Sequence, residues 1–76
     1  MLVPLSSLKV NMSCIVKNVD CDIKLKRRVF ELGILPEERV KVLSISPLKS
    51  SFLIAVKNYS LALRNQILDS IMVEVL

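Results

Sequence analysis

Seventy-six residues, 53% of them hydrophobic, with 11 basic and 7 acidic side chains and a formal charge of +4, bound the answer to one small domain spanning 1–76. No uncharged apolar run approaches the roughly 18 to 20 residues of a membrane-spanning helix, and with no histidine the chain lacks the commonest acid–base and metal-ligating side chain. The basic balance favours an acidic surface, nucleic acid or an anionic membrane as neighbour and selects none of them.

The opening MLVPLSSLKVNMSC has no basic n-region and no small-residue cleavage site, and Pro4 and Lys9 break it, so the expectation is a cytoplasmic protein without a secretory signal. Leu2, Leu5 and Leu8 recur at three-residue spacing, which predicts a short helical turn laid across one end of the domain. The run Ser13 to Val19 has the β-branched content of a strand, with Cys14 and Val16 on one face and Ile15 and Lys17 on the other. Val19 is out of phase, and a bulge near Asn18 would return it to the inner face. Cys14 and Cys21 fit neither a cytosolic disulfide nor a closed zinc site, which would need ligands from other chains. They read as ordinary small residues, and no metal or cofactor is expected.

Asp22 to Val42 organises the rest. Asp22 is a good N-cap, since its carboxylate can accept from the free N–H groups of the first helical turn. Leu25, Val29 and Leu32 recur at i, i+4 and i+7, which predicts a stripe facing the core. Gly33 sits where a left-handed residue ends the helix, Ile34 is placed to cover Val29, and Pro36 forbids continuation. Next, RVKVLSI is a strand with Val40 and Val42 inward, ended by Pro47. PLKSS is a turn. FLIAVK alternates Phe52, Ile54 and Val56 inward, YSLALR does so with Leu61 and Leu63, and Asn58-Tyr59 between them predicts a tight turn with Asn58 at positive φ. NQILDS is a connector with 3₁₀ character, and IMVEV closes with Ile71, Val73 and Val75 on one side. About five short strands with one helix after the first, and little loop, predict a mainly β fold: a small SH3-like barrel whose closure removes exposed edges.

Catalysis is not expected. The chain has no glycine-rich phosphate loop and no nucleophile–base set, and Glu31, Glu37 and Glu38 read as solvent-facing charges. The outer side of the helix is more informative. Stepping about 100° per residue from Leu25 puts Ile23 near 160° and Phe30 near 140°, on the side away from the core. An outward Ile and Phe offer anchors to another protein, unless the N-terminal segment with Leu2 and Leu5 covers them. Lys24, Arg27 and Arg28 fan over the remaining arc, either as an anion-facing patch or as a solvated face. The candidate partner-binding residues are therefore Ile23, Lys24, Arg27 and Phe30.

The combination R-R-x-x-x-L-G-I-x-P (Arg27 to Pro36), V-x-V (Val40, Val42), Pro47, alternating Phe52, Ile54 and Val56, L-A-L-R (Leu61 to Arg64) and I-x-V-E (Ile71 to Glu74) resembles the FeoA family across nearly the whole chain. The resemblance implies an SH3-like barrel in the cytoplasm and an accessory role in ferrous iron uptake through contact with the membrane transporter FeoB. The chain departs from the family pattern by carrying Asn11, Glu37 and Asn58 where glycines are usual, which predicts an altered turn after Pro36. Ile67-Leu68 replaces a common Glu-Ala, which adds apolar surface and an expectation of self-association or a modified partner contact. Taken together, the expectation is a non-enzymatic adaptor that docks on FeoB and carries no iron itself. The alternative is a small basic RNA-binding or regulatory module. For a regulatory barrel of the metal-dependent repressor kind, 76 residues leave no room for a DNA-binding domain.

Overall fold

The computed structural model describes Met1–Leu76. Its elements in chain order are β1 (Val3–Pro4), a 3₁₀ turn (Leu5–Ser7), β2 (Ser13–Val19), α1 (Ile23–Glu31), β3 (Arg39–Ile45), β4 (Ser51–Val56), β5 (Tyr59–Arg64), α2 (Asn65–Leu68) and β6 (Ile71–Val75). All strand pairs are antiparallel, in the order β1-β6-β2-β3-β4-β5. One face of each strand is apolar, and the buried side chains form a single cluster of 16 residues with no polar member. A single sheet can gather one face into one cluster only by curling on itself, which is the SH3-like architecture that the strand pattern predicts.

The curl is not closed by backbone hydrogen bonds. No ladder joins β1 to β5, and the structure has six strands where five were expected. The extra strand is the two-residue β1, whose Pro4 has no N–H to offer a further neighbour. Helical turns close the seam instead. β1 runs straight into the 3₁₀ turn and β5 straight into α2. The two turns meet where the Ser6 hydroxyl donates to the Asp69 carboxylate, and Leu5 and Leu68 lie fully buried beneath. The predicted N-terminal turn is thus present, with Leu5 and Leu8 in the core and Leu2 exposed. The connector before β6 is a turn of α-helix, and its Leu68 is core, so this residue adds no outer apolar surface, contrary to the sequence expectation.

Register settles the rest of the core. The β2 bulge falls between Val16 and Asn18, as predicted, and Val19 returns to the interior at 3% exposure. A second bulge, which the sequence did not signal, lies between Val42 and Ser44 and sets Leu43 and Ser44 together beside Leu53. The β4–β5 loop is Lys57-Asn58, because Val56 pairs with Tyr59, and it is Lys57 rather than Asn58 that takes positive φ (53°). Asn11 adopts positive φ as its type allows. Glu37 does so too, at 71°, so the turn after Pro36 keeps a left-handed residue without a glycine. Two contacts hold it there: its N–H donates to the Val16 carbonyl (2.6 Å), and both its carboxylate oxygens sit 3.1 Å from the Lys17 ammonium.

Candidate docking surface

α1 is short but fixed at both ends. At its start, Asp22 Oδ1 accepts from the Leu25 N–H at 2.8 Å. At its end, the Gly33 N–H donates to the Phe30 carbonyl (3.0 Å) and the Ile34 N–H to the Val29 carbonyl (3.3 Å), with Gly33 at φ +95°. These are the two bonds of a Schellman cap. The Tyr59 hydroxyl donates to the Leu32 carbonyl, which ties the start of β5 to the helix end.

The predicted core stripe is only partly correct. Val29 is 1% exposed, but Leu25 is half-buried and Leu32 is 38% exposed. Leu32 is the last residue before the chain reverses at Gly33, and Ile34 beyond the reversal, at 0%, takes the core position instead.

On the outer side, Ile23 is 74% exposed, and Lys24 and Arg27 are exposed. Ile23, Arg27 and Phe30 occupy one stripe at i, i+4 and i+7, with Lys24 about 100° round from Ile23. Phe30 is half-buried and packs against the core rather than standing out as an anchor, which corrects its expected exposure. Its ring lies under Lys26, whose Nζ is 6.0 Å from the centroid. The N-terminal segment is not the cover that the sequence offered as an alternative: its 3₁₀ turn packs on α2 and β6. The structure therefore brings Ile23, Lys24 and Arg27 into one open patch with Phe30 at its inner margin.

Two further features lie on the sheet. Lys17 bridges Glu37 (3.1 Å) and Glu74 (3.7 Å), and the hydrogen bond it donates to Glu37, helped by the attraction of both carboxylates, outweighs desolvation and raises its pKa. An open groove of about 390 Å³ on the outside of β3 and β4 is lined by Ser13, Glu38, Arg39, Lys41, Ala55 and Lys57. Sequence reasoning missed this groove, although the alternation that turned Val40 and Val42 inward also turned Arg39 and Lys41 outward.

Both cysteines are free thiols. Burial pushes Cys14 up to about 11, and its Sγ donates to the Val40 carbonyl at 3.6 Å. Cys21 is half-buried and is also raised, first by desolvation and then by Asp22. No three His, Cys, Asp or Glu side chains converge to hold a metal ion. No helix is long and apolar enough to cross a membrane.

A family model for the FeoA domain matches residues 3–75. The chain belongs to the FeoA domain family. This is a family associated with ferrous iron transport. Among solved structures, the chain is similar to a FeoA-like protein from Clostridium acetobutylicum, with a TM-score of 0.92 and 23% identity over 99% of this chain and 87% of that one. It is similar to FeoA of Stenotrophomonas maltophilia, with a TM-score of 0.81 and 28% identity over 95% and 89% of the two chains. That structure is a zinc complex of a procaryotic SH3 domain protein put forward as a ferrous iron transport activating factor. A manganese-dependent transcriptional repressor shares the fold, with a TM-score of 0.89 and 18% identity over 99% of this chain but 42% of the repressor. No match is found among curated protein sequences.

Proposed function

We propose that this FeoA-family chain is a non-enzymatic accessory protein of ferrous iron uptake that docks on the cytosolic side of a FeoB-type membrane transporter through the outer face of α1. The observation that carries the reading is Ile23, a large apolar side chain left 74% exposed on a helix capped at both ends and flanked by Lys24 and Arg27. A rigid apolar anchor ringed by charge is the common form of an energetic centre in a protein interface. The family supports the iron-transport context. The paucity of catalytic groups in the sequence supports contact rather than chemistry.

The test is binding of purified FeoB, by fluorescence anisotropy, to the wild type and to Ile23→Glu and Arg27→Glu. Ile23→Glu is expected to weaken binding about tenfold or more with an unchanged unfolding temperature. Unaltered affinity in both variants would remove α1 from the interface. The RNA-binding alternative has less support. Phe52 is core and Phe30 is half-buried, which leaves Tyr59, 44% exposed with its hydroxyl held at Leu32, as a single aromatic where base stacking wants a series.

A further inference from the structure

The groove on β3 and β4 lies away from α1, and the docking reading leaves it unused. Its construction follows from the pleat. With Val40, Val42, Ile54 and Val56 buried, the alternate residues Arg39 and Lys41 of β3 and Leu53 and Ala55 of β4 face outward, and Lys57 follows in the turn after β4. Lys41 pairs with Ala55, and Ala55 with Ser60, so two small side chains beside Lys41 leave a hollow. The next row is largely apolar. Leu53 pairs with Ala62 of β5 and with Ser44 of β3, and the β3 bulge sets Leu43 beside it, with Leu43 and Leu53 each 36% exposed.

The charge on this face is unbalanced. Lys57 lies 3.8 Å from Glu38, but Arg39 and Lys41 pair with no carboxylate. Arg39 on one row, Lys41 beside the hollow on the next and leucines on the third are complementary to an extended chain that carries two acids and then an apolar side chain at every second position. In an extended segment, side chains at i and i+2 share a face about 6.6 Å apart, which is the step from one row of the sheet to the next.

We propose that the outer face of β3 and β4 binds an extended acidic segment of a partner protein, with carboxylates over Arg39 and Lys41 and apolar side chains against Leu43, Leu53 and Ala62. Charge complementarity selects this occupant. A single-stranded nucleic acid would want stacking aromatics, and this face has none. The surface is separate from Ile23, so the two can be tested apart.

The test uses the full chain labelled with ¹⁵N and a fluorescent synthetic peptide repeating Glu-Ser-Glu-Ser-Leu-Ser, with Gln-Ser-Gln-Ser-Leu-Ser, oligouridylate and phosphatidylserine vesicles as comparison probes. The Glu peptide is expected to bind saturably, to shift the amides of Lys41, Leu53, Ala55 and Ala62, and to lose affinity about tenfold in Lys41→Glu while keeping it in Ile23→Glu. Lys41 is exposed, so the variant is expected to fold, and Leu53→Ser should reproduce the loss. Equal binding of the Gln peptide, no saturable binding of the Glu peptide, or shifts confined to α1 would overturn the proposal. Tighter capture of oligouridylate or vesicles than of the peptide at Lys41 would overturn it equally.

Discussion

Replacing Gly33 with alanine tests the joint on which α1 depends. The residue sits at φ +95°, and a Cβ built there runs into the hydroxyl of Tyr59, the same hydroxyl that bonds the Leu32 carbonyl. Two costs add. Holding an L-residue in the left-handed region costs about 1 to 3 kcal/mol, and displacing Tyr59 forfeits a hydrogen bond that contributes roughly 1 kcal/mol. A loss of about 2 to 4 kcal/mol follows, and at about 4 to 8 °C per kcal/mol for a domain of this size the midpoint should fall by roughly 8 to 32 °C. Thermal and urea unfolding by circular dichroism would measure it. Tyr59→Phe, which removes the obstructing hydroxyl, should recover part of the loss in the double variant and leave the backbone part. A Gly33→Ala protein within about 0.5 kcal/mol of the wild type would refute the reasoning, because that is the range of substitutions touching no special feature.

Other predictions follow from burial. Phe30→Glu is expected to destabilise the fold by about 1 to 3 kcal/mol, since it sets a charge at the core margin, while Ile23→Glu stays within about 0.5 kcal/mol in the same unfolding assay. Leu68→Ala should cost about 2 to 5 kcal/mol, as expected for a fully buried leucine beneath the seam. A thiol reagent should label Cys21 well before Cys14 in the native protein and both at once in denaturant. The pKa of Cys14 is raised in the folded state from 9.0 to about 11, so the fold favours the neutral thiol. Its contribution is complete below pH 9.0 and is lost as pH climbs from there towards about 11. Cys14→Ala should flatten that alkaline decline, and an undiminished decline in the variant would assign it elsewhere.

The elements whose residues carry their own local physics were legible in the chain. Asp22, Gly33 and Ile34 encode the start and end of α1 through backbone hydrogen bonds within a few positions. The alternation in β2, β3 and β4 encodes which side faces the core. The β2 bulge was legible because Val19 was out of phase. The β3 bulge was not, because Leu43 and Ser44 break no apolar pattern that would betray the slip. The Lys57 turn was misread by one residue: an asparagine is a permissive turn former, yet the pairing of Val56 with Tyr59 fixes the loop, and register is a property of two strands together.

By itself the sequence determined an SH3-like β domain with one capped helix, and through its residue pattern a likeness to the FeoA family, because periodicity, caps and motif order are written along one dimension. Only the tertiary structure decided that the sheet stays open at β1 and β5 and is sealed by Leu5, Leu68 and the Ser6–Asp69 contact, that Phe30 leans on the core while Ile23 stands free, and that Arg39 and Lys41 share a hollow with Ala55. The physical reason is the same in each case. Exposure and proximity depend on residues distant in the chain meeting across a curled sheet, and no local rule of helix or strand reports what lies on the other side.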